Sequence, residues 1–148
     1  MKSLFNEGTF SEIEERLHKL DANSSAQWGK MSPAQMAAHC QRPLIMLLGR
    51  DTFGLKPNFL IKLLFKPMMY SDKLWKKNMP TMKFFKVEDT RDFNKELNSL
   101  KSLLEEVNQH RKSNNPWPKH PVFGKMTDEQ WGKMQYKHLD HHFRQFGV

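Results

Sequence analysis

Residues 127–147 read TDEQWGKMQYKHLDHHFRQFG and predict a long helix. Thr127 is a residue type favoured at the N-cap, and Asp128 and Glu129 follow it near the positive end of the helix dipole. The pattern ends at Phe146, one residue before Gly147, and glycine commonly follows the last helical residue. We therefore expect a helix from Thr127 to about Phe146.

Three other segments repeat apolar residues at helical spacing. The predicted ranges are 11–20, 32–48 and 90–111, and a short helix is expected near 58–65. Thr9 and Glu12 predict a capping box for the first helix, and Ser32-Pro33 predicts the start of the second. Pro43 predicts a kink or a break inside the second helix. No segment alternates as a strand would, so the sequence predicts an all-α fold: a single four-helix bundle over 1–148 with a long connection between the second and third helices.

Length and composition limit the classes of protein that need to be considered. The chain has 148 residues and a formal net charge of +8, and its longest uninterrupted apolar run, 44–48, is far too short to span a bilayer. Cys40 is the one cysteine, so no internal disulfide can form. These features favour a soluble protein of the reducing cytoplasm.

Most of the positive charge lies in one central segment. Residues 53–86 contain eight lysines and a single acidic residue, Asp72. The six that we expect to attract an anionic ligand to the site are Lys56, Lys62, Lys66, Lys73, Lys76 and Lys77. The same segment, with Trp75 and Phe84–Phe85, could instead bind nucleic acid or an anionic surface, although Pro67 and Pro80 argue against a regular membrane-binding helix. A solvated, solubilising segment is the simplest alternative.

A five-residue repeat marks two places in the chain. QWGKM occurs at 27–31 and again at 130–134, and a histidine lies eleven residues after each tryptophan, at His39 and His142. Ser32-Pro33 starts a helix only after the first copy, so the two copies should differ in local structure. The repeat indicates two helices that each bring one histidine to the centre.

The histidine pattern predicts a metal site. His138 and His142 are one helical turn apart on the apolar side of the last helix, which is the spacing that presents two imidazoles to one ion. His39 on the second helix is the best third ligand, with His120 or His18 as alternatives. His120, His141 and Gln35 are candidates for residues that lie around the metal ligands. Cys40 is expected to be a small buried hydrophobic residue. Without a metal, the same pair would be ordinary polar core residues.

Two motifs resemble the DinB/YfiT-like superfamily. MSPAQMAAHC at 31–40 resembles its second-helix motif, and the tail from His120 to Gly147 is similar to one branch of it. The resemblance implies a four-helix bundle that binds one divalent metal through His39, His138 and His142, with homodimers common. Its relatives include transferases and isomerases that use a low-molecular-weight thiol.

The function expected from these features is metal-dependent chemistry on a small molecule. Zinc or nickel on three neutral imidazoles keeps open positions, so thiol transfer or hydrolysis is the expected reaction. A non-catalytic metal-binding module is the alternative.

Overall fold

In a computed structural model that describes all 148 residues, the chain forms five α-helices and no β-strand. The helices are α1 (Glu7–His18), α2 (Pro33–Leu47), α3 (Phe59–Tyr70), α4 (Phe93–Lys112) and α5 (Asp128–Gln145), and a single 3-10 turn covers Lys83–Phe85. The all-α prediction is confirmed.

The predicted start of α5 and that of α2 are confirmed in detail. Thr127 Oγ1 accepts a hydrogen bond from the Gln130 backbone N–H at 3.2 Å, and the Gln130 side chain accepts one from the Thr127 N–H at 3.1 Å. Ser32 and Gln35 form the same reciprocal pair at the start of α2. Each capping box satisfies two of the N–H groups that a helix leaves free at its first turn.

One local prediction is wrong, and one of the two alternatives predicted at Pro43, the break, does not occur. α1 begins at Glu7, with Asn6 as its N-cap, so Thr9 lies buried inside the helix and forms no capping box with Glu12. α2 continues through Pro43 without a break. The loss of one backbone hydrogen bond is tolerated there because the neighbouring side chains of Cys40, Leu44 and Leu47 are completely buried, and their packing stabilises the helical path.

The apolar core lies among α1, α2, α4 and α5, with α2 packed along α4. Its fully buried side chains include Ile13, Leu44, Leu100, Trp131 and Phe143. α3 packs against α5 but contributes no buried residue. No helix of the chain is both long enough and apolar enough to cross a membrane.

An ion-pair network fixes α1 against α5. Asp140 Oδ1 accepts from Arg16 at 2.9 Å and Oδ2 accepts from Arg144 at 2.9 Å. Arg16 also donates to the carbonyl oxygen of Val148. Asp140 thus joins Arg144, four residues later on α5, to Arg16 on α1.

The two copies of the repeat differ in structure, as predicted. The first copy, 27–31, lies in the loop before α2, and the second is inside α5. The histidine that follows each copy is buried, and the two rings lie with their centroids 4.6 Å apart.

Candidate metal centre

Three buried histidines from two helices meet inside the protein. His39 comes from α2, and His138 and His142 come from α5. One ring nitrogen from each lies within 4.8 Å of the others, and the Nε2 atoms of His39 and His138 are 2.9 Å apart. Two imidazole nitrogens on a tetrahedral zinc ion are separated by about 3.3 Å. Small movements of these side chains would therefore bring the three nitrogens to the spacing of a three-histidine metal site.

Hydrogen bonds orient two of the rings. His39 Nδ1 donates to the carbonyl oxygen of Phe85 at 2.7 Å, and His142 Nδ1 donates to Gln145 Oε1 at 2.9 Å. Since a neutral imidazole carries one proton, each Nε2 then presents a lone pair. His138 Nδ1 is buried without a partner. If a metal ion bound His138 at Nε2, the proton would be on Nδ1. The three histidines therefore fit a metal ion, but the Nδ1–H of His138, unlike those of His39 and His142, has no hydrogen-bond acceptor.

Burial keeps the three imidazoles neutral. It lowers the pKa of His39, lowers that of His138 well below its usual value, and lowers that of His142 to about 3, with His39 contributing through charge repulsion. Neutral imidazole is the form that binds a metal ion.

The end of α5 is held by the first copy of the repeat. Gln145 Nε2 donates to the carbonyl oxygen of Trp28 at 2.7 Å, and the Gln27 N–H donates to the Gln145 carbonyl at 2.7 Å. Gly29 has φ +79°, and a Cβ there would lie 2.5 Å from Gln145 Nε2. Only glycine therefore lets this loop approach closely enough to hold the side chain that orients His142.

A cavity of about 690 Å³ opens beside the cluster. Its walls are mainly apolar, and the lining includes six methionines: Met31, Met46, Met69, Met79, Met82 and Met134. One side is closed by the connection between α3 and α4, residues 71–92, which we call the covering loop. Phe85, whose carbonyl holds His39, belongs to this loop. Methionine side chains adapt their shape readily, so the cavity suits an apolar ligand of variable form.

The alternative third ligands lie elsewhere. His18 is exposed at the end of α1. His120 lines the cavity, but its Nδ1 accepts hydrogen bonds from the Val122 and Phe123 N–H groups, both at 3.1 Å. Burial lowers the pKa of His120 to about 4, so its Nε2 carries the proton at neutral pH. The structure thus brings His39, and neither alternative, to the His138–His142 pair.

The other predicted shell residues have separate surroundings. The Gln35 amide caps α2 and donates to the Asp89 carbonyl at 3.1 Å, so its polar atoms are engaged away from the cluster. His141 is buried, its ring centroid lies 5.2 Å from that of His142, and its Nδ1 has no partner. Trp28 and Trp75 pack against the His141 ring. Gln145, rather than Gln35, is the glutamine that forms a hydrogen bond with one of the three clustered histidines.

The lysines expected at the mouth do not line the cavity. Lys66 donates to the carbonyls of Phe123 and Lys125, and the Lys77 ammonium lies 4.7 Å from the centre of the Trp28 ring. The other four, Lys56, Lys62, Lys73 and Lys76, are exposed and have no ion-pair partner. Lys30 and Lys86 are the lysines that line the cavity. Of the eight lysines of the central segment, only Lys86 lines the cavity, so most of the central charge lies away from the site.

Cys40 is an inert core residue. Its side chain is completely buried, its Sγ lies 3.5 Å from the sulfur of Met36, and burial raises the pKa of its thiol. A protonated, inaccessible thiol is not a nucleophile.

Comparison with known proteins places the chain in a family. It belongs to the family described as "Protein of unknown function (DUF1569)", whose sequence model matches residues 7–147. No curated protein and no solved structure matches this chain.

Proposed function

We propose that this chain is a metal-dependent enzyme of the DinB/YfiT-like type, with one zinc or nickel ion held by His39, His138 and His142. The observation that carries the proposal is the convergence of three buried, neutral imidazoles, two of them oriented by hydrogen bonds on the opposite nitrogen. In this proposal α1, α2, α4 and α5 are the four-helix bundle, and α3 belongs to the long connection. The superfamily resemblance also supports a homodimer, and the single buried cysteine supports work in the cytoplasm.

Three protein ligands favour catalysis over a purely structural role. Structural zinc sites are usually closed by four protein ligands, whereas three leave a position for a reactant. The ion would act as a Lewis acid that eases proton loss from a water or thiol ligand. Phe85 and Gln145 would keep His39 and His142 in their metal-binding tautomers while the reactant is exchanged.

The cavity favours a small and largely apolar substrate. Its lining is mostly apolar, and Glu88 is its only acidic lining residue. Lys30, which lines the cavity and forms no ion pair, could bind an anionic group such as the carboxylate of a low-molecular-weight thiol, whereas Lys86 lies 4.0 Å from the Glu88 carboxylate. We therefore propose thiol transfer to an apolar molecule, or its hydrolysis, as the reaction.

His141 is the better candidate for moving a proton. Its Nδ1 is unpartnered, and burial lowers its pKa, so the ring is neutral and able to accept a proton at neutral pH. His120 Nδ1 is already occupied by two backbone N–H groups. His120 can therefore only donate a hydrogen bond from Nε2 to a molecule in the cavity.

Metal analysis of the purified chain tests the proposal. The paired variant His138→Ala/His142→Ala should lose the bound metal, and His141→Ala, a change of the same residue type on the same helix, should retain it. Unchanged metal content in the pair would contradict the site. Loss of metal from His141→Ala would contradict the assignment of ligands.

A second measurement separates catalysis from a structural metal. The metal-free wild type should melt within a few degrees of the metal-loaded form, and the loaded form should conjugate a thiol to an apolar electrophile or hydrolyse an apolar ester. His141→Ala should lower that rate by about 10²–10⁴-fold, the usual contribution of a general base. If metal removal unfolds the chain and the loaded form is inactive, the metal serves the fold alone.

A further inference from the structure

The apolar surface of the protein is concentrated in one segment. All eight strongly exposed large hydrophobic side chains lie between residues 59 and 84. The most exposed are on α3: Phe59 at 75%, Leu64 at 68%, Leu60 at 66% and Leu63 at 61%. A cluster of this kind on a protein surface marks an interaction site.

These four side chains form one face of α3. At 100° per residue, positions 59, 60, 63 and 64 lie within an arc of about 140°. The opposite face packs on the protein, where Ile61 and Met69 contact the core. Lys137 on α5 holds the C-terminal end of the helix by donating to the carbonyl oxygens of Met68 and Ser71. The exposed face is therefore fixed outward, and Pro67 lies in the last part of a continuous helix without breaking it.

Lysines without an ion pair lie within α3 and on both sides of it in the sequence. Lys56 precedes α3, Lys62 lies within it, and Lys73 and Lys76 follow it, and none of the four forms an ion pair. Asp72, the only acidic residue over 53–86, is engaged by the N-terminal ammonium of Met1. The segment 53–86 thus combines an exposed apolar helix face with free ammonium groups, and it has no free carboxylate of its own.

We infer that the exposed face of α3 binds the surface of an anionic phospholipid membrane. Leucine and phenylalanine side chains enter the boundary between headgroups and acyl chains, and the neighbouring lysines pair with acidic headgroups. A second copy of this chain is a poorer occupant, because a two-fold contact through α3 would bring the same unpaired lysines together. A nucleic acid would match the charge and could stack a base on Phe59, but the three leucines that form the rest of the face offer it neither stacking nor hydrogen bonds. This inference does not depend on the metal site.

Vesicle co-sedimentation of the full chain tests the inference. Vesicles of phosphatidylcholine mixed with phosphatidylserine should bind the protein, and vesicles of phosphatidylcholine alone should bind it weakly. Leu60→Gln/Leu64→Gln should weaken binding to the mixed vesicles by about tenfold or more. Lys62→Gln/Lys73→Gln should weaken it on the order of 30-fold, since each lysine near such a surface contributes about 1 kcal/mol.

A matched control removes the same charge elsewhere. Lys95→Gln/Lys112→Gln changes two exposed lysines of α4 and should leave vesicle binding nearly unchanged. All the changed side chains are exposed, so circular dichroism and melting should match the wild type. Equal loss in the control would contradict a local site and indicate a general effect of net charge.

Three results would overturn the inference. The first is the absence of binding to the mixed vesicles. The second is binding to duplex DNA or RNA that is lost in the lysine variant but kept in the leucine variant, with vesicle binding following the same pattern. The third is a dimer in sedimentation velocity that the leucine variant dissociates, while vesicle binding of that variant is unaltered.

Discussion

Nδ1 of His142 lies 2.9 Å from Oε1 of Gln145, three residues later on α5. The same glutamine side chain donates to the carbonyl oxygen of Trp28 in the loop before α2. The glutamine oxygen must accept from His142, because the amide nitrogen is already committed to that carbonyl. Gln145 therefore fixes both the rotation of the imidazole and the nitrogen that carries its proton.

Gln145→Leu should weaken metal binding by about 10–100-fold, the usual effect of removing the outer partner of a ligating histidine. Competition with a chromophoric chelator measures this affinity. Gln109→Leu, an exposed glutamine on α4, is the matched control and should not change it. Equal affinities for the two variants would show that Gln145 has no role in orienting the ligand.

His120 should make stability depend on pH. Its pKa is about 4 in the folded chain and near 6.5 when unfolded, so the unfolded chain binds more protons between these values. The free energy of unfolding should therefore fall as pH drops from 6.5 to 4, with a contribution from this residue of at most about 3 kcal/mol.

His120→Asn isolates that contribution. The asparagine oxygen can accept from the same two backbone N–H groups but does not titrate in this range. Urea unfolding of the metal-free proteins across pH 6.5 to 4 should give a shallower dependence for His120→Asn than for the wild type. Parallel curves would mean that His120 is not held neutral in the folded state.

Asp140→Asn should destabilise the chain by about 2 kcal/mol, because the buried carboxylate accepts charge-assisted hydrogen bonds from both Arg16 and Arg144. Urea unfolding measures the change. Glu129→Gln removes an exposed ion pair with Lys133 on the same helix and should cost less than about 1 kcal/mol. Equal costs would indicate that the arginines do not depend on Asp140.

Lys137→Met should loosen the C-terminal end of α3. The buried ammonium donates to the Met68 carbonyl at 2.7 Å and to the Ser71 carbonyl at 3.0 Å, and methionine keeps the bulk without the donors. Amide hydrogen exchange should accelerate over 59–71, and the cost in stability should be about 1–3 kcal/mol. Lys133→Met, one turn earlier on α5, should leave exchange in α3 unchanged.

The sequence was informative wherever one helix carries the signal. The spacing of His138 and His142 and the capping residue Thr127 act within a single helix, so local periodicity predicted them. His39 could be placed because its helix also has a clear apolar side. Phe85 could not be foreseen, because it contributes a backbone carbonyl, which any residue possesses. Gln145 carried a detectable signal, its position three residues after His142 on the same helix, but this alone does not distinguish it from other polar residues.

The arrangement of the central segment, residues 53–86, could not be predicted from its own sequence. Its lysines were visible in the composition, but their direction depends on how α3 packs, and that depends on Lys137 more than sixty residues away. A segment such as 59–65, which is apolar except for Lys62, ordinarily predicts burial. Here the composition could not reveal that only Ile61 and its neighbours on one side of the helix face inward.

The hydrogen bond from His39 to Phe85 joins the covering loop to the three-histidine cluster. Displacing that loop removes the acceptor from His39 and frees its ring to exchange tautomers. If the three histidines bind a metal ion, thermodynamic reciprocity requires that an agent which stabilises the loop against α2 also tightens metal binding, and that metal binding slows cleavage of residues 71–92 by a protease. The rate at which a protease cleaves residues 71–92 would then report whether a metal ion is bound by the three histidines, although the protease does not contact them.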